Sequence, residues 1–424
     1  MQFRVEVVQL TDFGGYLGAE ASRTLPYIEQ IAREEGMSAH GFAGPLFQPF
    51  GDFLKGDPST LVGDAFTHMQ RGLCFIGDAV IQAGTLYDGT ENANTSLLEK
   101  VSLAKDTGEE VTFGTYDQRY DPHVTQGQSL SVFRVTDLEN PNFDRSDPGY
   151  YEKANNRAGP SLFVLNEIWA NWPGGDGKNF VDSMVTPLAG NSNSIRANGE
   201  AWRNVGHNVG LVGQNMTKNV GVLVDQFWQG EAGDAFRQFL DKYFTKTVVW
   251  AGDTIGEFIA TGFDEFANVV DKAAKEAVDG IDKICSIVDK QALKAVPYIG
   301  WIVGVIIEAG DAAIDIINSI PLMPDIPVDL GSLRDAILDI FEIANGIKEL
   351  YGDIEEAINT MREYVNIVNE FKGTIAEFQS AVEGVLGAVA SGNVDNIAAA
   401  YRTATEKFDE MQNQMDQINE KVGG

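Results

Sequence analysis

Across residues 195–227, apolar side chains recur at helical spacing: Ile195, Trp202, Val205, Val209, Val212, Met216, Val220, Leu223 and Phe227. Only a helix keeps such positions on one face. The stripe stops at Trp228-Gln229-Gly230 and resumes at Ala232, Ala235, Phe236, Phe239, Leu240 and Tyr243. Two amphipathic helices joined by so short a turn must fold back and bury their stripes together. Gly230 has the backbone freedom that a reversal needs, and Glu231 and Asp234 place negative charge in the first turn of the second helix, where the dipole favours it. Trp228 is expected to cap the end of this hairpin.

The flanking regions repeat the theme with a sevenfold period. Val62, Met69, Ile76 and Ala83 are seven apart, as are Phe66, Leu73, Val80 and Tyr87. This is the seam of a coiled coil. Ser59 and Thr60 are expected to cap that helix after Pro58, and it is expected to run to about Val101. A first helix is expected over residues 16–35, after a short strand or extended lead-in over residues 2–10. Near the other end, Ile340, Ile347, Ile354, Met361, Val368, Ile375, Val382 and Val389 are again seven apart. Ser391-Gly392-Asn393 breaks the pattern before Ile397, Tyr401, Ala404, Phe408, Met411, Met415 and Ile418 continue it, which reads as an antiparallel hairpin.

Between these seams the signals weaken. Residues 110–113 and 129–135 read as short strands in a stretch rich in Gly, Pro, Asp and Asn, a long surface insertion that is either a hairpin or partly disordered. A short helix is expected over residues 161–172, a Gly-rich loop over 173–193, and a helix from Gly230 to about Lys290 with breaks at Gly252, Gly256 and Gly262. Residues 295–307 carry no charge, but a spanning helix needs about 20 apolar residues. Gly300 and Gly304 form a small-residue face beside Trp301, suited to a buried core helix, an oligomer contact or a conditional membrane contact.

The expected fold is therefore all-α: an elongated bundle of long antiparallel hairpins with a small irregular or β insertion. Five segments follow: a hairpin over 1–105, the insertion over 106–160, a second hairpin over 161–293, an apolar helix and Pro-rich linker over 294–330, and a C-terminal coiled-coil hairpin over 331–424.

Charge and chemistry narrow the function classes. With 31 basic and 62 acidic residues the net charge is −31, which repels nucleic acid and argues against a nucleic-acid partner. Seventeen of the basic residues are Lys, which weighs against a halophilic origin for the acidity. Cys74 and Cys285 lie in apolar helical contexts and read as small buried hydrophobes rather than a disulfide or metal pair. His40, His68, His123 and His207 have no two-ligand helical spacing, so no metal site is implied. Residues 174–179 resemble a phosphate loop only superficially, because Asn179 stands where Ser or Thr should follow Lys178. Asp117, Asp121, His123 and Asp144 read as a solvated loop rather than a cluster. Neither a catalytic constellation nor a cofactor site is read, and a non-enzymatic role is expected. Residues 1–7 lack a basic patch followed by an apolar core, so any export is expected to use a route independent of the general secretory signal.

Tyr87 closes the N-terminal seam and Glu91 lies one turn further, placing an aromatic ring and a carboxylate side by side on one helix face. The same spacing occurs at Tyr16/Glu20 and Tyr351/Glu355, so spacing alone selects none of the three. Trp228 and Gly230, set between matched stripes, resemble the Trp-x-Gly hairpin of the WxG/PPE group of actinobacterial type VII (ESX) secretion substrates over roughly residues 190–285. Tyr87/Glu91, just past a two-helix unit, resembles the export signal of PE and EspC/EspB-type proteins, over roughly residues 1–105. EspB-like proteins fuse both hairpins in one chain, and the resemblance implies that the Tyr and Trp elements lie together at one end of a four-helix bundle. The long segment between the hairpins departs from that pattern. The resemblance further implies a secreted or cell-envelope effector or virulence protein, exported folded. Its implied partners are the membrane ATPase and machinery of the secretion system, a cytosolic chaperone, and further copies of itself in a ring or conduit. The alternatives are a membrane-active, pore-forming protein that inserts residues 295–320, and a cytosolic coiled-coil scaffold.

Overall fold

The computed structural model describes residues 4–42, 44–91, 132–172, 179–188, 190–241, 248–249, 251–296, 298–318, 329–391 and 394–423. The fold is all-α. A two-residue strand, β1 (Arg4–Val5), leads into α1 (residues 7–36), in which Val7–Ala19 and Leu25–Ile31 alternate with the π-helical turns Glu20–Thr24 and Ala32–Gly36. After the short α2 (Gln48–Lys55), α3 (Asp57–Glu91) returns antiparallel along α1. The α3 seam is buried at Val62, Phe66, Leu73, Ile76 and Val80, as its sevenfold spacing requires. The helix starts earlier than expected, at Asp57, because Pro58 fits the first turn, where no N–H is needed. Thr60 consequently hydrogen-bonds back to the Gly56 carbonyl instead of capping. The expected extension to Val101 lies outside the described residues.

The second hairpin begins with α7 (Ser192–Val222, closed by the π turn Leu223–Phe227), preceded by the shorter α4 (Tyr150–Ala158), α5 (Leu162–Ala170) and α6 (Phe180–Met184). Asn191 caps α7 by accepting from the Ser194 N–H at 2.9 Å. The turn is β2 (Trp228–Gln229), which pairs antiparallel with β1, Val5 opposite Trp228. Helix α8 (Glu231–Leu240) follows, and then α9, made of the π turn Ala251–Ile255 and Gly256–Lys290, packs along α7. The whole α7 stripe is buried apart from Phe227, which is half-buried. In α8 the expected face is corrected: Ala232 and Ala235 are exposed, and Gly233, Phe236 and Leu240 turn inward. Helices α10 (Ile299–Ala309) and α11 (Ala313–Asn318) follow, and the 62-residue α12 (Leu330–Ser391) then packs against α9 before α13 (Val394–Gly423) returns along it. At about 1.5 Å per residue, α12 alone is about 90 Å long. Ile340, Ile347, Ile354 and Met361 are buried in a single apolar core that also takes in both earlier hairpins, while Phe371, Phe378, Phe408, Met411 and Ile418 form a separate cluster where α12 meets α13.

The stretch expected as a surface insertion is largely structural where it is described. Residues 150–158 are helical, and residues 132–149 have neither helix nor strand; residues 110–113 lie outside the described residues. Residues 132–149 form an extended strap in the groove between α1 and α7, with Phe133 buried. An extended chain advances about 3.3 Å per residue and a helix about 1.5 Å, so each strap residue passes roughly two of α7. The contacts keep that pace. The Arg134 carbonyl accepts from Asn215 and Asn219, Thr136 meets Asn215, the Glu139 N–H donates to Asn208 Oδ1 at 2.9 Å, and Arg145 reaches Asn198 and the Ser194 carbonyl at 2.8 and 3.1 Å. The other guanidinium nitrogen of Arg145 donates to the Glu35 carbonyl and carboxylate at 2.9 and 3.0 Å. Replacing Arg145 with Met leaves these acceptors unmet, and Arg145→Met is expected to cost roughly 2–3 kcal/mol in chemical denaturation.

Candidate functional site

The Tyr-bearing and Trp-bearing elements meet at the tip of the α7/α8 hairpin. Here α1 begins, α3 ends, α7 delivers Trp228, and α8 leaves. The Tyr87 and Trp228 rings touch edge to face, with centroids 6.4 Å apart and an interplanar angle of 77°. Trp228 is tilted against Phe236 at 5.3 Å, Phe236 meets Phe13 of α1 at 6.1 Å, Phe13 meets Phe133 of the strap at 5.2 Å, and Phe133 reaches Phe227 at 6.5 Å. A continuous chain of rings therefore joins α3, the turn, α8, α1, the strap and α7. Such pairs add about 0.5–1.5 kcal/mol each beyond the area they bury.

Backbone geometry holds Trp228 in place. Gly230 sits at φ 126° and ψ −178°, a conformation that side-chain-bearing residues rarely adopt. At Gly233 an added Cβ would lie 2.0 Å from the Trp228 carbonyl oxygen. The turn is further tied by the Glu6 N–H donating to the Phe227 carbonyl at 2.8 Å, by Gln229 Nε2 donating to the Asp225 carbonyl at 2.7 Å, and by an ion pair between Arg237 and Asp225. Trp228 is only 6% exposed, and its indole N–H is buried with no hydrogen-bond partner among the described residues. An unmet buried donor costs about 1–3 kcal/mol.

Of the three Tyr-x-x-x-Glu pairs, only one lies at this end beside Trp228. Tyr16 and Glu20 are buried inside the bundle, where Glu20 Oε1 accepts from the Thr136 N–H and hydroxyl at 2.8 and 2.7 Å. Burial, reinforced by the Glu20 carboxylate, pushes the Tyr16 hydroxyl well above its ordinary range. Tyr351 donates to the Ser183 carbonyl at 2.9 Å, a strut between α12 and α6. Tyr87 is half-buried against Trp228, and Glu91 is the last residue of α3; the Glu91 side chain lies outside the described part of the structure.

The remaining candidates have packing roles. A Cβ on Gly300 would lie 2.6 Å from Glu167 Oε2 and 2.7 Å from Asn171 Nδ2, so α10 uses this face against α5, and Gly304 follows it past Asn171. Trp301 turns away from that contact and is 42% exposed. Among the described residues no helix is long and apolar enough to cross a membrane. Asn179 is a helix cap whose side chain accepts from the Val181 and Asp182 N–H groups, and Asp144 accepts from the Ser146 N–H. The rest of the phosphate-loop stretch, and Asp117, Asp121 and His123, lie outside the described residues. Cys74 and Cys285 are free, and burial pushes both thiols up. Among the described residues no group of three or more His, Cys, Asp or Glu side chains is placed to hold a metal ion.

No protein-family model, no curated protein and no solved structure matches this chain.

Gly233 beside the turn and Gly221 on α7 make the local geometry testable. Gly233→Ala is expected to destabilise the fold by roughly 3 kcal/mol, since the new methyl must displace the Trp228 carbonyl. Gly221→Ala on α7, with nothing within 4 Å of the new methyl, is expected to stabilise by up to about 1 kcal/mol. Paired denaturant titrations of the two variants check both signs.

Proposed function

We propose that this chain is a substrate or extracellular component of a type VII secretion system, non-enzymatic and self-assembling, with the Tyr87/Glu91 and Trp228/Gly230 elements acting as one composite export signal. The observation that carries this reading is the contact between Tyr87 and Trp228. Two residues from separate hairpins, singled out by different motifs, lie ring against ring at one end of a helical bundle. A structural explanation of Trp228 alone does not require Tyr87 to be the residue it meets.

The site suits recognition rather than turnover. A half-buried ring, a carboxylate position one turn beyond it and a rigid turn offer a receptor an apolar and an anionic anchor together. The membrane ATPase, a chaperone and further copies of the chain as partners rest on the resemblance of these motifs to those of type VII substrates.

Export of Tyr87→Ala and Trp228→Ala in a host with an active type VII system tests the proposal. Both variants are expected to fold, to accumulate inside the cell and to be missing from the culture supernatant, with helicity and intracellular level measured alongside. Export of both at the parent's level, or no export of the parent, overturns the reading and leaves an intracellular helical scaffold in its place.

One observation favours the second reading, a membrane-active protein. Phe163 of α5, Tyr298 just before α10 and Trp301 of α10 are 74%, 68% and 42% exposed, and aromatic residues of this kind suit a membrane interface. Vesicle leakage that requires Trp301 would favour it over secretion-only function.

A further inference from the structure

Where α3, α7, α9 and α12 come together, the helices border an apolar cavity of about 140 Å³ that is open on one side. Its walls include Leu61, Phe66, Trp202, Val209, Ile259 and Phe371. The Trp202 indole N–H is already engaged by the Gly36 carbonyl at 3.2 Å, so that ring offers the cavity only its apolar surface. A water molecule needs two to four polar partners, and these walls supply almost none. The walls therefore select an apolar guest.

The rim adds a charge preference. Lys372 of α12 and His68 of α3 line the cavity, and Lys372 Nζ lies 2.6 Å from Asp64 Oδ2, an ion pair that links α12 to α3. Asp64 lies in the field of Lys372, His68 and Arg33, and its carboxyl is held below the usual range chiefly by the Lys372 hydrogen bond and charge. Arg33 also pairs with Glu29 at 2.8 Å. In a chain of net charge −31, the residues that line this cavity include no carboxylate, and their only ionisable side chains are those of Lys372 and His68. An anionic head group on an apolar chain complements both features.

We propose that this cavity binds the alkyl chain of a fatty acid, with the carboxylate meeting Lys372 in competition with Asp64. The proposal is independent of the export reading, because none of these residues belongs to the Tyr87/Trp228 site. The full-length protein is titrated with decanoate and with 1-decanol by equilibrium dialysis, below the concentration at which either aggregates. Saturable one-to-one binding of both is expected. Lys372→Met is expected to weaken decanoate about tenfold, the equivalent of one charge-assisted hydrogen bond, and to leave decanol unchanged. Ala65→Phe, which fills the cavity from α3, is expected to abolish both. A diazirine-bearing decanoate on the unmodified protein locates the bound chain whether or not that variant folds: adducts are expected within residues 61–69, 202–209 or 365–375. Absence of saturable binding, adducts confined to other regions, undiminished binding by folded Ala65→Phe, or equal losses for decanoate and decanol in Lys372→Met each overturn the assignment.

Discussion

Helices α7 and α9 approach until their backbones touch, and the other elements are laid on that pair. A Cβ on Gly206 would lie 2.2 Å from the Gly252 carbonyl oxygen, and one on Gly256 would lie 2.9 Å from that of Trp202. With no side chains between them at this level, the flanking residues interlock on both sides, and Arg203 crosses to Glu257 and Asp264 at 2.7–3.0 Å. The α1/α3 hairpin covers one flank of the pair and α12 another. The same close approach leaves space beside it, since Gly206, Gly252 and Gly256 all line the apolar cavity beneath Lys372. Tight helix packing and the cavity are thus two results of one run of small residues.

The bundle end obeys a different constraint. A turn of three residues cannot bury an indole by itself, so Trp228 depends on rings brought by α3 and α8. Tyr87 reaches it because α3 runs antiparallel to α1, whose first residues are fixed by the pairing of Val5 with Trp228. The glycine backbone at position 230, strand pairing and aromatic packing all converge on the same side chain. That convergence, rather than any single motif, distinguishes Tyr87 from Tyr16 and Tyr351, which have the same spacing to a glutamate but serve as interior and strut.

Periodic apolar spacing made the long helices readable. The sevenfold positions from Ile340 to Met361 and the α7 stripe from Ile195 to Leu223 are buried because a long helix has one choice of face once its neighbours are helices. The face of α8 was less readable: Ala is small enough to be tolerated outside, and Gly233, which carries no hydrophobic signal, is what the close Trp228 carbonyl requires. The strap was illegible for a physical reason. Its anchors are polar contacts to Asn198, Asn208, Asn215, Glu20 and Glu35, scattered over two helices, and no local period marks a segment held by side chains from elsewhere. A buried Glu and a row of Asn on the inner side of α7 were the signals available, and only a partner segment explains them.

The strap also couples the two hairpins. Its ligands belong to α1 on one side and α7 on the other, so there is no groove for it to enter until the two hairpins have come together. The full set of strap bonds, to Glu20 and Glu35 on α1 and to the asparagines of α7, therefore exists only where the two hairpins are in register. In this chain, a correctly seated strap reports that assembly of the bundle is complete.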